Sequence, residues 1–343
     1  MFTKKDLFNT ARALAATLLS AGVCGAMPGG PDDRLPESDI PPLTIQDVFT
    51  IDRKEPGFFT RNPGEKTPEA QLERARKFEA KKKLESARMA YNSLVRHWHT
   101  APEALEAQTK VAEICALQGD HVRAFKEYQY LFTHFAGRFD FNDILQRQFQ
   151  IANLLAAKSK KFLGITVQTH EEDRLRYEQI AVNAPNSPLA PEVLFKAAAH
   201  YELDNEFAAA ADAYTRVRVR HPTTPQAQAA AHAEVRCRYI HAMKNFKTDV
   251  LAQTAISAAD AVLLQFPRLA QRDEVIAMRT ELREKREEDA YQQALFYDTV
   301  RKQPRAALIA YRQFLQLHPA SPRVPEVRAR ILQLDPQPGA THE

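Results

Sequence analysis

Four groups of residues in this 343-residue chain have the side chains that chemistry needs, and spacing argues against each. His97-Trp98-His99 offers two imidazoles, which bind a metal when they converge. Residues two apart at a helix end point to different sides, so these read as surface groups capping that end. Arg216, Arg218 and Arg220 form a basic ladder. On a helix, alternate residues diverge by about 200°, so the three guanidinia do not make one phosphate-binding patch. Cys115 and Cys237 could pair only with Cα atoms within about 7 Å, and they fall several repeats apart. They read as small buried hydrophobes. Arg279 to Asp289 holds Glu281/Lys285 and Arg283/Glu287 at i, i+4, which reads as the solvated face of one long helix from about Gln271 to Thr299.

HExxH, GxxxxGK[ST], GxSxG and paired Cys-x-x-Cys are all missing from the sequence. No residue is therefore assigned to catalysis, to a cofactor or to a metal, and the chain is not expected to be an enzyme. Its 47 basic and 43 acidic residues leave a net charge of +4, too balanced for a dedicated nucleic-acid binder. No small-molecule substrate is expected either. Of 10 glycines, only Gly119, Gly137, Gly164 and Gly339 lie beyond Gly64. Phosphate loops and tight β-hairpins need more, so the sequence predicts a long all-helical body behind an irregular N-terminal stretch.

That stretch opens like an export signal. Lys4, Lys5 and Arg12 precede an apolar run from Ala13 to Val23, then Cys24-Gly25-Ala26. A basic start, a short apolar core and small residues define a signal peptide over 1–26. The run is shorter than the roughly 20 residues a membrane-spanning helix needs. Two processing routes stay open: lipidation at Cys24 with cleavage before it, or ordinary cleavage after Ala26. Residues 27–66 form a Pro-rich extended linker. Its second half carries the apolar strip Leu43, Ile45, Val48, Phe49, Ile51, Phe58 and Phe59, suited either to covering the first repeat or to binding a partner.

From Thr67 onward the helical period takes over, with Thr67 as N-cap and Pro68 at the first helical position. Counting Pro191 as position 1 puts Leu194 at 4, Ala198 at 8, Tyr201 at 11, Ala210 at 20, Tyr214 at 24 and Pro222 at 32. This is the tetratricopeptide pattern, with small residues where two antiparallel helices approach most closely and aromatics beside them. Ala75 and Ala87, Ala112 and Ala124, and Ala307 with Tyr311 repeat its markers elsewhere. The expected fold is all-α: a right-handed superhelical solenoid of about six tetratricopeptide-like hairpins within 67–334. The hairpins span 67–99, 102–136, 140–185, 188–222, 224–267 and 269–319, followed by a helix over 322–334 and a disordered tail over 335–343. Insertions fall in the third hairpin, around Lys158 to Lys161, and in the fifth, over Lys244 to Asp249.

In such a stack the first helix of each pair lines the inner surface. The groove positions are Glu106, Thr109, Glu113 and Ala116 in the second unit, and Glu192, Phe195, Ala199 and Glu202 in the fourth. They predict a mildly acidic channel with one aromatic, suited to an extended peptide or a partner domain's edge.

Signal, tether and hairpins together resemble the BamD-type lipoproteins of the bacterial outer-membrane β-barrel assembly machinery. The likeness is carried by Asn245 to Leu334: NFKTDVLAQTAISAADAVLLQFP, then DEVIAMRTELREKREEDAYQQALFY, then RAALIAYRQFLQLHPASPRVPEV. The family's Tyr-x-x-x-Gly turn is replaced here by Tyr297-Asp298-Thr299-Val300-Arg301-Lys302-Gln303-Pro304, and six hairpins exceed the usual five. The resemblance implies a non-catalytic scaffold held by its lipid anchor alone on the periplasmic face of the outer membrane, or soluble in the periplasm if Cys24 is not acylated. Its implied partners are unfolded outer-membrane clients and the periplasmic domains of the barrel insertase. The other reading is an exported tetratricopeptide adaptor in envelope maintenance or cell division.

Overall fold

The computed structural model describes residues 63–157, 161–162, 165–166, 170–245 and 249–335, all within Pro42–Glu343. The signal over 1–26 with Cys24, the linker up to residue 62, the apolar strip Leu43 to Phe59 and residues 336–343 lie outside the described residues.

Among the described residues thirteen α-helices follow one another, paired as antiparallel neighbours. The first two hairpins are α1 (Pro68–Ala80) with α2 (Leu84–His97), and α3 (Glu103–Leu117) with α4 (His121–His134). Next come α5 (Phe141–Ala157) with α6 (Glu171–Asn183), and α7 (Ala190–Leu203) with α8 (Phe207–Arg220). The last two are α9 (Pro225–Lys244) with α10 (Asp249–Gln265), and α11 (Arg272–Leu295) with α12 (Pro304–Leu317), closed by α13 (Val324–Leu334). The insertion in the third hairpin adds a minimal antiparallel ladder, β1 (Lys161–Phe162) on β2 (Ile165–Thr166), with Lys161 opposite Thr166.

Local chemistry sets these boundaries. The Thr67 side chain accepts the Ala70 amide and Pro68 opens α1, while Asp120 accepts the Arg123 amide to open α4. The turns inside four hairpins each carry one left-handed residue: Lys82 (φ 56°), Gly119 (φ 79°), Asn205 (φ 61°) and Lys302 (φ 50°). At the first three, the next residue's amide reaches back to Phe78, Cys115 and Tyr201 respectively, which closes the orphan carbonyls of the preceding helix.

The crossing-point residues Ala75, Ala87, Ala112, Ala124, Ala198, Ala210 and Ala307 have no exposed surface. Beside them Tyr91, Tyr128, Tyr214 and Tyr311 are buried. A methyl is the largest group that lets helix axes approach this closely, so the alanines set the spacing and the tyrosines fill the flanking volume. One core runs from Leu72 to Ala197 through the first three hairpins into α7. Beyond it the core breaks into smaller clusters, the last being Ala294, Ala307, Tyr311, Phe314 and Val327. No residue of α11 between Leu282 and Ala294 is buried.

Long α11 differs from its expectation in one respect. The α-helix stops at Leu295, and a π-helical turn, Phe296–Val300, replaces its last expected residues. The cause is an added residue. In the first and fourth hairpins, Glu79 and Glu202 stand three residues before the left-handed turn residue; Asp298 stands four before Lys302. The surplus residue widens the last turn.

Candidate interaction surface

First helices of neighbouring hairpins touch one another, α1 with α3, α7 with α9 and α9 with α11. Their facing side chains are where the groove was expected, and most are engaged. Arg76 grips Glu106 with two donors at 2.9 and 2.7 Å, and Lys110 reaches Glu79 at 3.3 Å. Arg147 meets Glu113 at 3.1 Å, and Arg236 holds both oxygens of Glu202 at 2.7 and 2.8 Å. The acidic channel is thereby corrected: its carboxylates at Glu106, Glu113 and Glu202 are neutralised by bases one hairpin away. Spacing along one repeat identifies which residues share a face, whereas the opposing charges lie 30 to 34 residues off in sequence.

Thr109 turns its hydroxyl onto its own helix, donating to the Leu105 carbonyl at 3.0 Å. Phe195 packs on Tyr214 with ring centroids 5.2 Å apart, so it extends the core rather than standing free. Glu192 and Ala199 are half-buried. Tyr201 is also half-buried and ties α7 to the preceding hairpin, through Arg174 at 3.0 Å and Glu178 at 3.3 Å.

A recurring three-residue unit appears where hairpins meet. The buried tyrosine of the second helix donates to a carboxylate at the end of its own first helix, and that carboxylate binds a base on the next hairpin or on α13. The units are Tyr91–Glu79–Lys110 (hydroxyl contact 2.6 Å), Tyr214–Glu202–Arg236 (3.1 Å) and Tyr311–Asp298–Arg330 (3.1 Å). Burial, and then the adjacent carboxylate, push all three phenols above their ordinary value. The guanidinium of Arg330 draws Asp298 below the usual carboxylate range. These tyrosines therefore stay protonated donors, which is what a fixed joint requires. In the second hairpin Ala116 occupies the carboxylate position, and the unit is not repeated there.

The charged run of α11 also bonds to neighbouring elements. Arg279 and Arg283 bind Asp260 of α10 at 2.7 and 2.8 Å, Arg286 binds Asp249, and Glu281 and Glu287 accept from Tyr239 and Ser321. These bonds leave α11 for α9, α10 and the loop before α13. Arg218 leaves the basic ladder to bind buried Glu234 at 2.8 Å. His97 and His99 are exposed on either side of Trp98, which packs against the core. Cys115 and Cys237 are buried and unbridged, and burial pushes their thiols up to about 11 and about 12. Among the described residues no group of three His, Cys, Asp or Glu is placed to hold a metal, and no helix is long and apolar enough to cross a membrane.

One set of polar joints escaped the sequence analysis. Gln71, Gln108 and Gln148, each four residues before a buried alanine, sit in the core of the first three hairpins. Gln71 donates to the Ala90 carbonyl (3.0 Å) and Gln108 to that of Glu127 (2.8 Å), while Gln148 joins Gln129 and Asn183 in a buried amide cluster. The repeated offset is the signal that could have found them; the tetratricopeptide pattern places a large apolar residue there, as Leu194 does in the fourth hairpin.

No protein-family model and no curated protein matches this chain. Solved structures similar to it include a tetratricopeptide repeat protein from Parabacteroides merdae, 12% identical with a TM-score of 0.29, covering 79% of this chain and 99% of the other. The C-terminal part of a TPR repeat-containing protein from Cytophaga hutchinsonii is 14% identical with a TM-score of 0.31, covering 77% and 88%. The nearly identical TPR-like repeats of a putative kinesin light chain from Podosopora anserina are 16% identical with a TM-score of 0.27, covering 60% and 100%.

Proposed function

We propose that this chain is a non-catalytic protein–protein interaction scaffold of the bacterial envelope, acting in outer-membrane β-barrel assembly in the manner of the BamD-type lipoproteins. The observation that carries the scaffold reading is the cross-hairpin bonding of successive first helices. It holds neighbouring hairpins in fixed register, which is the rigid frame a protein-binding repeat stack needs. The envelope assignment rests on the basic-apolar-small N-terminus and on the likeness of Asn245 to Leu334. Residue by residue, the docking role for insertase domains falls to the C-terminal hairpins and the client role to the N-terminal ones.

Two measurements test this. Mass analysis of the mature N-terminus after detergent fractionation should find a diacylated Cys24 in the outer-membrane fraction; an unmodified chain beginning at Met27 would refute the lipid anchor. Crosslinking in intact cells followed by affinity purification should then recover barrel-insertase components. Recovery of cell-division or envelope-maintenance proteins in their place would transfer the chain to the alternative adaptor reading.

A further inference from the structure

Pro185, Pro222 and Pro267 end the third, fourth and fifth hairpins. Three residues before each proline stands an aliphatic side chain that the fold leaves in water: Val182 is 57% exposed, Val219 62% and Leu264 83%. Counted from Ala87, Ala124 and Ala307 as Val219 is from Ala210, the same position is polar in the other hairpins, with Arg96, Thr133 and Gln316. The third, fourth and fifth hairpins are consecutive layers, α6 packing on α7 and α8 on α9. Equivalent positions in stacked repeats form a row, so these three side chains line the ends of α6, α8 and α10.

The charges around the row are unequal. The nearby carboxylates are already held: Glu178 by Arg174 at 3.0 Å, Asp212 by Arg238 at 3.0 Å, and Asp260 by Arg279 and Arg283 at 2.7 and 2.8 Å. Two members of the basic ladder on α8 are not. Arg216 and Arg220 are exposed and make no ion pair among the described residues. They stand at i and i+4 with Val219 at i+3, which puts all three on one face of the helix. The middle of the row is therefore an aliphatic group between two uncompensated guanidinia.

We infer that an acidic amphipathic helix of a partner polypeptide lies across the ends of α6, α8 and α10, with its aliphatic stripe on Val182, Val219 and Leu264 and its carboxylates on Arg216 and Arg220. Charge complementarity selects this occupant. A helix renews its apolar stripe every two turns, about 11 Å, the scale on which packed helices succeed one another, and it carries carboxylates beside that stripe. A second copy of the chain would set arginines against arginines. A bilayer surface is gripped by Trp, Tyr, Phe and Leu, and two of the three side chains here are valines. The proposal rests on the scaffold reading and narrows it: the inner carboxylates Glu106, Glu113 and Glu202 are bonded within the stack, whereas this row is free to bind.

The test is methyl NMR of the full chain, following Val182, Val219 and Leu264 during titration with an acetylated, amidated peptide of three Leu-Glu-Glu-Ala-Leu-Ala-Glu heptads. A second peptide carries lysine in place of every glutamate. The glutamate peptide should shift the three sets of methyls saturably at up to about 1 mM and bind roughly tenfold more tightly than the lysine peptide. That preference should shrink in high salt. Replacing Arg216→Gln and Arg220→Gln together should remove it, and Leu264→Ser should weaken both peptides, with the remaining methyl spectrum unchanged because all three positions are exposed. Equal affinity for the two peptides would overturn the proposal, as would no saturable shift or shifts confined to other methyls. Sedimentation of the chain with phosphatidylglycerol vesicles in place of peptide binding would overturn it in favour of a membrane surface, and self-association abolished by Leu264→Ser would overturn it in favour of a second copy. If the peptides fail while envelope partners are still recovered by crosslinking, the row is refuted and the scaffold stands. If the glutamate peptide binds but no envelope partner is recovered, the row stands and the envelope reading falls.

Discussion

Ala198 and Ala210 have no exposed surface, and a larger side chain at either would have to push two helices apart. Leucine at Ala198 should lower stability by about 1–3 kcal/mol in urea unfolding. The thiols make a second residue-level prediction. Cys115 and Cys237 are buried with raised pKa values, so they hold little thiolate near neutrality. An aromatic disulfide reagent at pH 8 should label neither in the folded chain and both in urea; rapid labelling without denaturant would contradict their burial. His200 adds a pH dependence. It lies between the rings of Tyr177 (5.5 Å) and His170 (5.6 Å), with Nδ1 buried and unpartnered. Burial lowers its pKa, assisted by His170 and Lys196 and opposed by Asp173 and Asp204. The folded state therefore favours the neutral ring. Its contribution to stability is intact above the ordinary value of 6.5 and is lost as the pH falls through that value toward the folded one. His318, half-buried near Glu287, Arg286 and Asp249, acts in the same direction. The urea midpoint should fall from pH 7 to pH 5, and His200→Phe, which keeps the ring stack, should reduce that fall.

Among the elements, the hairpin turns behave most simply. Lys82, Asn205 and Lys302 hold a left-handed backbone that glycine adopts without penalty. Lys82→Gly should stabilise the chain by about 1 kcal/mol, because the strain relieved exceeds the added unfolded-state entropy. Gly119→Ala should cost about as much even though nothing lies within 4 Å of the new methyl, since the penalty comes from φ +79° and not from space. Opposite signs for these two substitutions in urea unfolding are the outcome to check. The π turn of the last hairpin belongs to the same scale: Asp298 stands one residue further from its left-handed turn residue than Glu79 or Glu202 do, and the helix takes that residue up as a single widened turn.

Across the molecule, stability is distributed rather than central. The first three hairpins share a continuous core, whereas the last hairpin is joined to the fifth along the middle of α11 by bonds such as Arg286–Asp249 and Arg283–Asp260. Exposed ion pairs each contribute about 0–1 kcal/mol and are screened by salt. In a stack where each repeat stabilises only its neighbours, the weakest joint opens first. Hydrogen exchange should show residues 284–334 opening at a lower free energy than 68–157, with the gap widening at high salt. A single cooperative unit exchanging at one rate would contradict this.

The sequence by itself determined the helices, their pairing and the residues that set their spacing. A small residue at a helix crossing is required by local geometry, and it recurs with the same 12-residue spacing in Ala75/Ala87, Ala112/Ala124 and Ala198/Ala210. The groove positions could be counted in the same way, but their charge state could not. Glu106 and Glu202 are acidic in the sequence and neutralised in the fold, because Arg76 and Arg236 reach them across a joint that no spacing within one repeat describes. Only the tertiary structure decided those pairings and the buried amides of Gln71 and Gln108. Each depends on what a neighbouring helix presents after packing.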